Sequence, residues 1–400
     1  MKPKYPLFFT VDYPSNPCRS IAATCLAISA MALSSTAYAA EFTWADSAGN
    51  TTWTTDSTFG SAPASASWVG GVAPVNNVTI DTAIFTSVSN AQPVLTVQTR
   101  ITGVDFQMAA GGLAMDGGSG IGNLFQIGAT GINSSLQTSG TNTITNARIL
   151  TSGSANTWNL FSSVSTASTS TFTFDSVVEL GQNLTIIGQR NSATGNVGII
   201  NFERAITASP DVRTLTINSS NTNNTVNLKG VNTYLGVTNV NGGIVNVQNN
   251  QSAATGGWNI QTPNTAGVLA TVNFAAGSEV AVISANKIQI GATANSGSHP
   301  ASTLNVEGTV TNAGALQMER NSNLNLNNGA VWDQAGNLTL TARGGGPATL
   351  TVNAGAEMTY TRSTTVNLTT GTAGNALLNI NGTGRLTTAA GFQNTHASST

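Results

Sequence analysis

The stretch TLNVEGTV (303–310) reads as two apolar residues at alternate positions, then a glycine, then a further apolar residue. The same pattern recurs as TVNFAAGSEV (271–280), NLNLNNGAV (323–331), TLTVNAGAEM (349–358) and LLNINGTGRL (377–386). The glycines of the five copies, Gly277, Gly308, Gly329, Gly355 and Gly382, lie 31, 21, 26 and 27 residues apart. Period-two alternation marks a strand with one face buried. A loosely fixed period of roughly 20–30 residues marks a stacked repeat.

Outward from this core, the apolar pairs of the last third can be followed one by one. They are Ile288/Ile290, Leu304/Val306, Leu316/Met318, Leu324/Leu326, Leu338/Leu340, Leu350/Val352, Val366/Leu368 and Leu378/Ile380. Strands at this density, punctuated by Gly and Asn, give all-β structure. Tandem β-sandwiches and a parallel β-helix both fit such a series. Sandwiches normally carry larger aromatics and more regular hairpin turns, whereas the glycine spacing matches one β-helix coil. The expected fold is therefore an all-β parallel β-helix (β-solenoid) over 101–400. Upstream strand candidates are Ile101–Phe106, Leu124–Ile127, Phe172–Phe174, Leu184–Ile187, Gly198–Phe202 and Leu215–Ile217, with a loop or weak strand over Ser162–Thr171.

Residues 40–100 differ. Trp44, Trp53 and Trp68 precede GGVAPVNNVTIDTAIF (70–85), whose Val78–Ile80 and Ala83–Phe85 are short strand candidates. An atypical Trp-rich N-terminal cap closing the first edge of the solenoid is the preferred reading, since terminal repeats are atypical. The other reading gives Trp44, Trp53 and Trp68 as exposed rings that stack on carbohydrate.

Only 8% of the 400 residues are charged and the net charge is –2, against roughly 25% charged in ordinary soluble domains. Asn, Thr, Ser and Gly replace the missing charge, and these suit strands and turns. Asparagines at equivalent turn positions, such as Asn218, Asn227, Asn241, Asn246, Asn305, Asn325, Asn353 and Asn379, are candidates for side-chain hydrogen-bond ladders. After residue 40 the only lysines are Lys229 and Lys287. Nucleic-acid binding needs clustered cations, so it is set aside. After the same point no apolar run approaches the roughly 20 residues of a spanning helix.

Residues 1–39 read as an export signal. Lys2, Lys4 and Arg19 precede the apolar run Ile21–Leu33, and Ala37-Tyr38-Ala39 is a small-x-small cleavage site. Cys18 and Cys25 both fall inside this segment, so the expected mature chain has no cysteine.

One segment carries a resemblance. LKGVNTYLGVTNVNGGIVNVQNN (228–250) resembles the autotransporter-associated β-strand repeat. The matching positions are Leu228, Gly230, Asn232-Thr233-Tyr234, Gly236, the strand Val237–Val240, Asn241-Gly242-Gly243 and the strand Ile244–Val247. Val237 stands where the pattern usually has a second glycine. In the turn Asn241-Gly242-Gly243 the glycines supply positive φ, and Val240, Ile244 and Val247 are expected to line the core. The resemblance implies a bacterial autotransporter passenger, exported as a β-helix to the outer membrane surface. The closing GFQNTHASST (391–400) has no alternating barrel strand of the kind that ends such proteins.

Catalysis on a β-helix needs convergent carboxylates. The acids here are scattered singly, and Asp175 with Glu179 is the nearest pair. His299 and His396 are the only histidines, too few for a zinc site without cysteine, and no cofactor fingerprint is present. The sequence therefore points to an exported, non-enzymatic surface β-solenoid, a spacer or adhesin whose partners are extracellular glycans or other surface proteins. The alternatives are a carbohydrate-active β-helix enzyme with acids gathered from separate coils, or a sugar-binding module.

Overall fold

The computed structural model describes residues 40–44, 52–53, 68–69, 73–87, 92–95, 98–118, 123–161, 168–188, 197–208, 211–251, 256–262, 268–292, 299–342, 346–362, 366–370, 375–389 and 392–396. The expected signal segment 1–39 and the first part of the Ser162–Thr171 tract lie outside these residues.

The architecture is a parallel β-solenoid. One turn runs through three strands, as in Ala270–Phe274, Glu279–Val282 and Lys287–Ile290, before Ser302–Val306 returns to lie on the first of them. These positions define three faces. The first stacks Val197–Phe202, Thr225–Leu228, Gly243–Val247, Ala270–Phe274, Ser302–Val306, Ser322–Leu326, Ala348–Val352 and Ala376–Ile380 in parallel register. The second is a separate five-stranded sheet of Glu279–Val282, Thr309–Asn312, Val331–Gln334, Glu357–Tyr360 and Arg385–Thr388. The third includes Leu215–Ser219, Thr238–Val240, Trp258–Ile260, Lys287–Ile290, Ala315–Met318 and Leu338–Ala342.

The alternation read from the sequence is the cause of this arrangement. Most first-face strands bury every second residue, and the register places like on like. Leu228, Val247, Phe274, Val306, Leu326 and Val352 form one buried column and Val226, Val245, Val272, Leu304, Leu324 and Leu350 another. Burying each such side chain contributes about 1.5–3 kcal/mol. The repeat glycines turn the chain from the first face to the second. Gly277, Gly329, Gly355 and Gly382 have φ of 81°, 85°, 79° and 57°, a region where L side chains are strained. Gly308 is the exception: it lies against the backbone and hydroxyl of Ser278, with no room for a Cβ.

Towards the N-terminus the same three faces are built from fewer, longer strands. Gly140–Thr151 and Thr169–Leu180 pair along two faces, and their register shifts between Asp175 and Val177, opposite a stretch that holds Asn146 at φ 56°. One extra residue on the first strand is a β-bulge, and it bends the pair around the corner. Parallel pairing crosses residue 100 without a break, since Asp81–Phe85 lies between Ala40–Thr43 and Thr99–Phe106.

Several local expectations are corrected. Val78–Ile80 is a turn, and the strand begins at Asp81. Ile244 points outward and Val245 inward, because the strand starts at Gly243 and counts from there. In Val331–Gln334 it is Trp332 that takes the core position, with Val331 outward. The core is also more aromatic than a solenoid reading anticipated. Rings run continuously from Trp44 and Trp68 through Phe85, Phe106, Phe172 and Phe174 to Trp158 and Phe202. Trp258 and Phe274 make a further edge-on pair at 5.2 Å.

Asp81 closes the turn before its strand. Its carboxylate accepts the Val75 N–H at 2.5 Å and is 1% exposed. Burial pushes its pKa above the ordinary 3.8, against the lowering effect of backbone bonds from Val75 and Ala40. The folded chain thus holds this proton more tightly than the unfolded chain. Stability falls as pH rises from 3.8 through the raised native value, and stays at the lower level above it. Asp81→Asn is expected to remove that fall, seen as the difference between variant and native melting temperatures across acidic pH. A difference that does not change with pH would contradict the assignment.

Candidate functional site

The candidate site is the outer surface of the solenoid, and its chemistry follows from parallel register. Each outward side chain sits beside its counterparts about 4.8 Å above and below. Like charges stacked in this way repel, whereas an asparagine amide is self-complementary, donating to one neighbour and accepting from the other. On the first face this produces a continuous ladder. Asn227 Nδ2 donates to Asn201 Oδ1 at 2.8 Å, Asn246 to Asn227 at 2.8 Å, Asn273 to Asn246 at 2.8 Å, Asn305 to Asn273 at 2.8 Å and Asn325 to Asn305 at 2.9 Å. Beyond Asn201 the ladder ends on Thr173 Oγ1 at 3.4 Å. The rungs are 26, 19, 27, 32 and 20 residues apart in sequence.

The ladder residues are mid-strand and not at turns, as the sequence reading had placed them. Asn201 and Asn273 complete the series and were not among the candidates; their outward place in an alternating strand is the signal that finds them. Asn218 and Asn241 pair separately at 2.7 Å on the third face. Asn353 joins Asn327 and Asn381, at 3.1 and 3.0 Å, along the turn that follows the first face. Asn379 faces Thr351 in register. Asn246→Leu removes two rungs at a half-buried position and is expected to cost about 1 kcal/mol in urea denaturation. No measurable loss would mean that water replaces the ladder freely.

The repeat-like segment 228–250 spans one turn of the solenoid. Asn232 and Tyr234 are buried at its corner. Asn232 Oδ1 accepts the Ile206 N–H at 2.6 Å and its Nδ2 donates to Gln251 Oε1 at 3.0 Å. The Tyr234 hydroxyl bonds Thr238 Oγ1 at 2.5 Å, and burial pushes its pKa up to about 12. Gly242 and Gly243 have φ of 155° and 79°. These residues staple the turn, and none of them faces solvent as a reactive group.

Many of the scattered acids are tied to a neighbouring coil. Arg204 pairs Asp175, Arg148 pairs Glu179 and Lys229 pairs Glu203, each at 2.6 Å. Asp175 and Glu179, the nearest acids in sequence, therefore each hold a different arginine. Asp105 accepts from Asn133 at 2.7 Å and Gln107 at 2.8 Å, and Glu279 accepts from Asn250 at 2.8 Å. Among the described residues no three His, Cys, Asp or Glu side chains gather where a metal ion could sit.

Trp44 and Trp68 are 4% and 1% exposed; they pack edge-on against each other at 5.2 Å and lie tilted against Phe85 at 5.9 and 6.3 Å. In this arrangement neither ring presents a face to a sugar. Trp53 lies in the strand Thr52–Trp53 paired with Val94–Leu95, and its side chain is outside the described residues. Among the described residues no helix is long and apolar enough to cross a membrane.

The third face holds a groove of about 670 Å³ lined in part by Asn239, Asn259, Gln289, Lys287, Ser284 and Asn286. A second groove, of about 570 Å³, lies further along between Ile187, Asn218, Asn241 and Val268. Among the described residues both are lined by amides, hydroxyls and carbon without a carboxylate, and the first also by Trp258 and the Lys287 ammonium. No family model, curated protein or solved structure matches this chain.

Proposed function

We propose that this chain is an exported, non-enzymatic surface β-solenoid that works as a spacer or adhesin, with extracellular glycans or other surface proteins as partners. The observation that supports the reading best is the uncharged amide ladder of the first face, running from Asn201 to Asn325. It gives a stiff, polar, repetitive outer surface suited to non-covalent contact. The pairing of acids with cations on adjacent coils supports a structural use of those carboxylates. The apolar run and Ala37-Tyr38-Ala39 of the first 39 residues support export. The one-turn segment 228–250 supports kinship with autotransporter passengers.

The test is expression of the full chain with an epitope tag in a Gram-negative host, followed by protease shaving of intact cells and a screen of purified protein for release of reducing ends from polysaccharides. Loss of the tag on shaving, with no sugar release, is the expected result. Retention inside the cell would overturn export, and hydrolysis of any glycan would establish the enzyme reading instead.

A further inference from the structure

Asp81 is a buried carboxylate without a counterion. It is 1% exposed, at the start of the strand Asp81–Phe85. Two neutral donors reach it, the backbone N–H groups of Val75 and Ala40. Among the described residues no Lys, Arg or His pairs with it. The charged residues of the two flanking strands are Glu41, Arg100 and Asp105. Glu41 is exposed, Asp105 accepts from Asn133 and Gln107, and burial with the two amides accounts for the direction of the Asp81 shift. A carboxylate is almost never fully buried without a partner, because taking its charge out of water costs more than neutral hydrogen bonds return.

The place of one donor identifies the partner. Ala40 opens the strand Ala40–Thr43 and lies beside Asp81 in parallel register. It is also the residue that follows Ala37-Tyr38-Ala39, the small-x-small site of the export reading. Hydrolysis of the Ala39–Ala40 bond breaks its C–N linkage. The water oxygen stays on Ala39 as a carboxylate, and the Ala40 nitrogen takes up protons to become an α-ammonium. That nitrogen is the atom that already donates to Asp81, so the new cation arises at the carboxylate without movement of the strand. In the uncut chain the same nitrogen is a neutral amide and supplies no charge.

We propose that signal-peptidase cleavage between Ala39 and Ala40 creates the missing counterion: the α-ammonium of Ala40 forms a buried ion pair with Asp81 and fastens Ala40–Thr43 to the solenoid. The proposal rests on the export reading and adds to it a processing site whose product completes the fold. The raised Asp81 pKa belongs to the chain in which Ala40 carries a peptide bond. An adjacent cation favours the carboxylate and brings the folded value below 3.8. The pair then contributes stability above pH 3.8, lost as pH falls through the lowered value. This is the reverse of the uncut chain.

The experiment expresses the full chain in a Gram-negative host, with and without one glycine inserted between Ala39 and Ala40. Cleavage after Ala39 then yields one product with its ammonium on Ala40 and one with a neutral amide there. The mass of the native product is expected to correspond to a start at Ala40. Carbon-detected NMR titration of Asp81 is expected to give a value below 3.8 in the native product and above 3.8 in the inserted one. At neutral pH the amides of Ala40–Thr43 and Asp81–Phe85 are expected to exchange about tenfold more slowly in the native product, the equivalent of one pKa unit. Asp81→Asn is expected to erase that difference. An exported product cut elsewhere, an Asp81 that titrates above 3.8 in both products, or an exchange difference that survives Asp81→Asn would each overturn the pairing while export stands. An uncut chain retained in the cell would reject export and the processing site together.

Discussion

Phe174→Ala is expected to destabilise the protein by about 3–5 kcal/mol, the range for truncating a buried ring. Phe174 lies at the centre of four rings: it stacks on Phe172 at 4.7 Å, Trp158 at 4.9 Å and Phe202 at 5.0 Å. Removing it leaves a cavity walled by stiff aromatic planes that cannot collapse inward. A solenoid is coupled mainly between neighbouring turns, so the effect should be local. Hydrogen exchange is expected to accelerate in Asn156–Leu160, Thr169–Leu180 and Val197–Phe202 and to stay unchanged in Ser322–Leu326 and Ala348–Val352. Uniform acceleration along the chain would show that the solenoid unfolds as one unit. A loss below 1 kcal/mol would show that the rings repack.

Gly256→Ala should be as damaging for the opposite reason, overpacking. At the corner leading into the third face, a Cβ on Gly256 would overlap the carbonyl of Gly236, and a Cβ on Gly236 would overlap the carbonyl of Arg213. The same contact recurs between Gly336 and Gly314 further along. Coils come together here backbone to backbone, with no flexible side chain to give way. Overpacking of a tight core costs about 1–3 kcal/mol and occasionally more, and a clash with hydrogen-bonded backbone belongs at the upper end. The readout is the urea midpoint with the slope unchanged. A shift worth less than 1 kcal/mol would mean that the corner has slack, and that the glycine column has another cause.

The contrast between these substitutions and Asn246→Leu shows where stability resides. Ring and backbone contacts lie inside, away from water, so nothing replaces them when lost. The amide ladder is half-buried, so water can stand in for part of it. The ladder matters more for register: a strand slipped by one residue would put its asparagine among the leucines and its leucines in water.

Most of the strands were legible in the sequence. The apolar pairs from Ile288/Ile290 to Leu350/Val352 are strands with both members buried. At Leu378/Ile380 the strand persists while burial fails, with Ile380 50% exposed. Period two reports strand geometry and does not report whether a further rung covers it. The miss at Ile244 is a phase error of one residue at a strand start, where a turn resets which face comes first. The Trp residues were harder, because a tryptophan in a polar stretch reads the same whether it stacks on a sugar or on Trp68.

By itself the sequence determined that the chain is β throughout its described length, that it repeats, and that the repeats turn at glycines, because these depend on local periodicity and on φ. Only the tertiary structure decided which asparagines meet, that Asp175 and Glu179 face different arginines, and that the rings from Trp44 to Phe202 share one core. Those are contacts between residues about 20–30 positions apart, and coil lengths here vary from 19 to 32 residues. A period that loose does not tell which side chains lie above one another; only the hydrogen-bonded register of the stacked strands does.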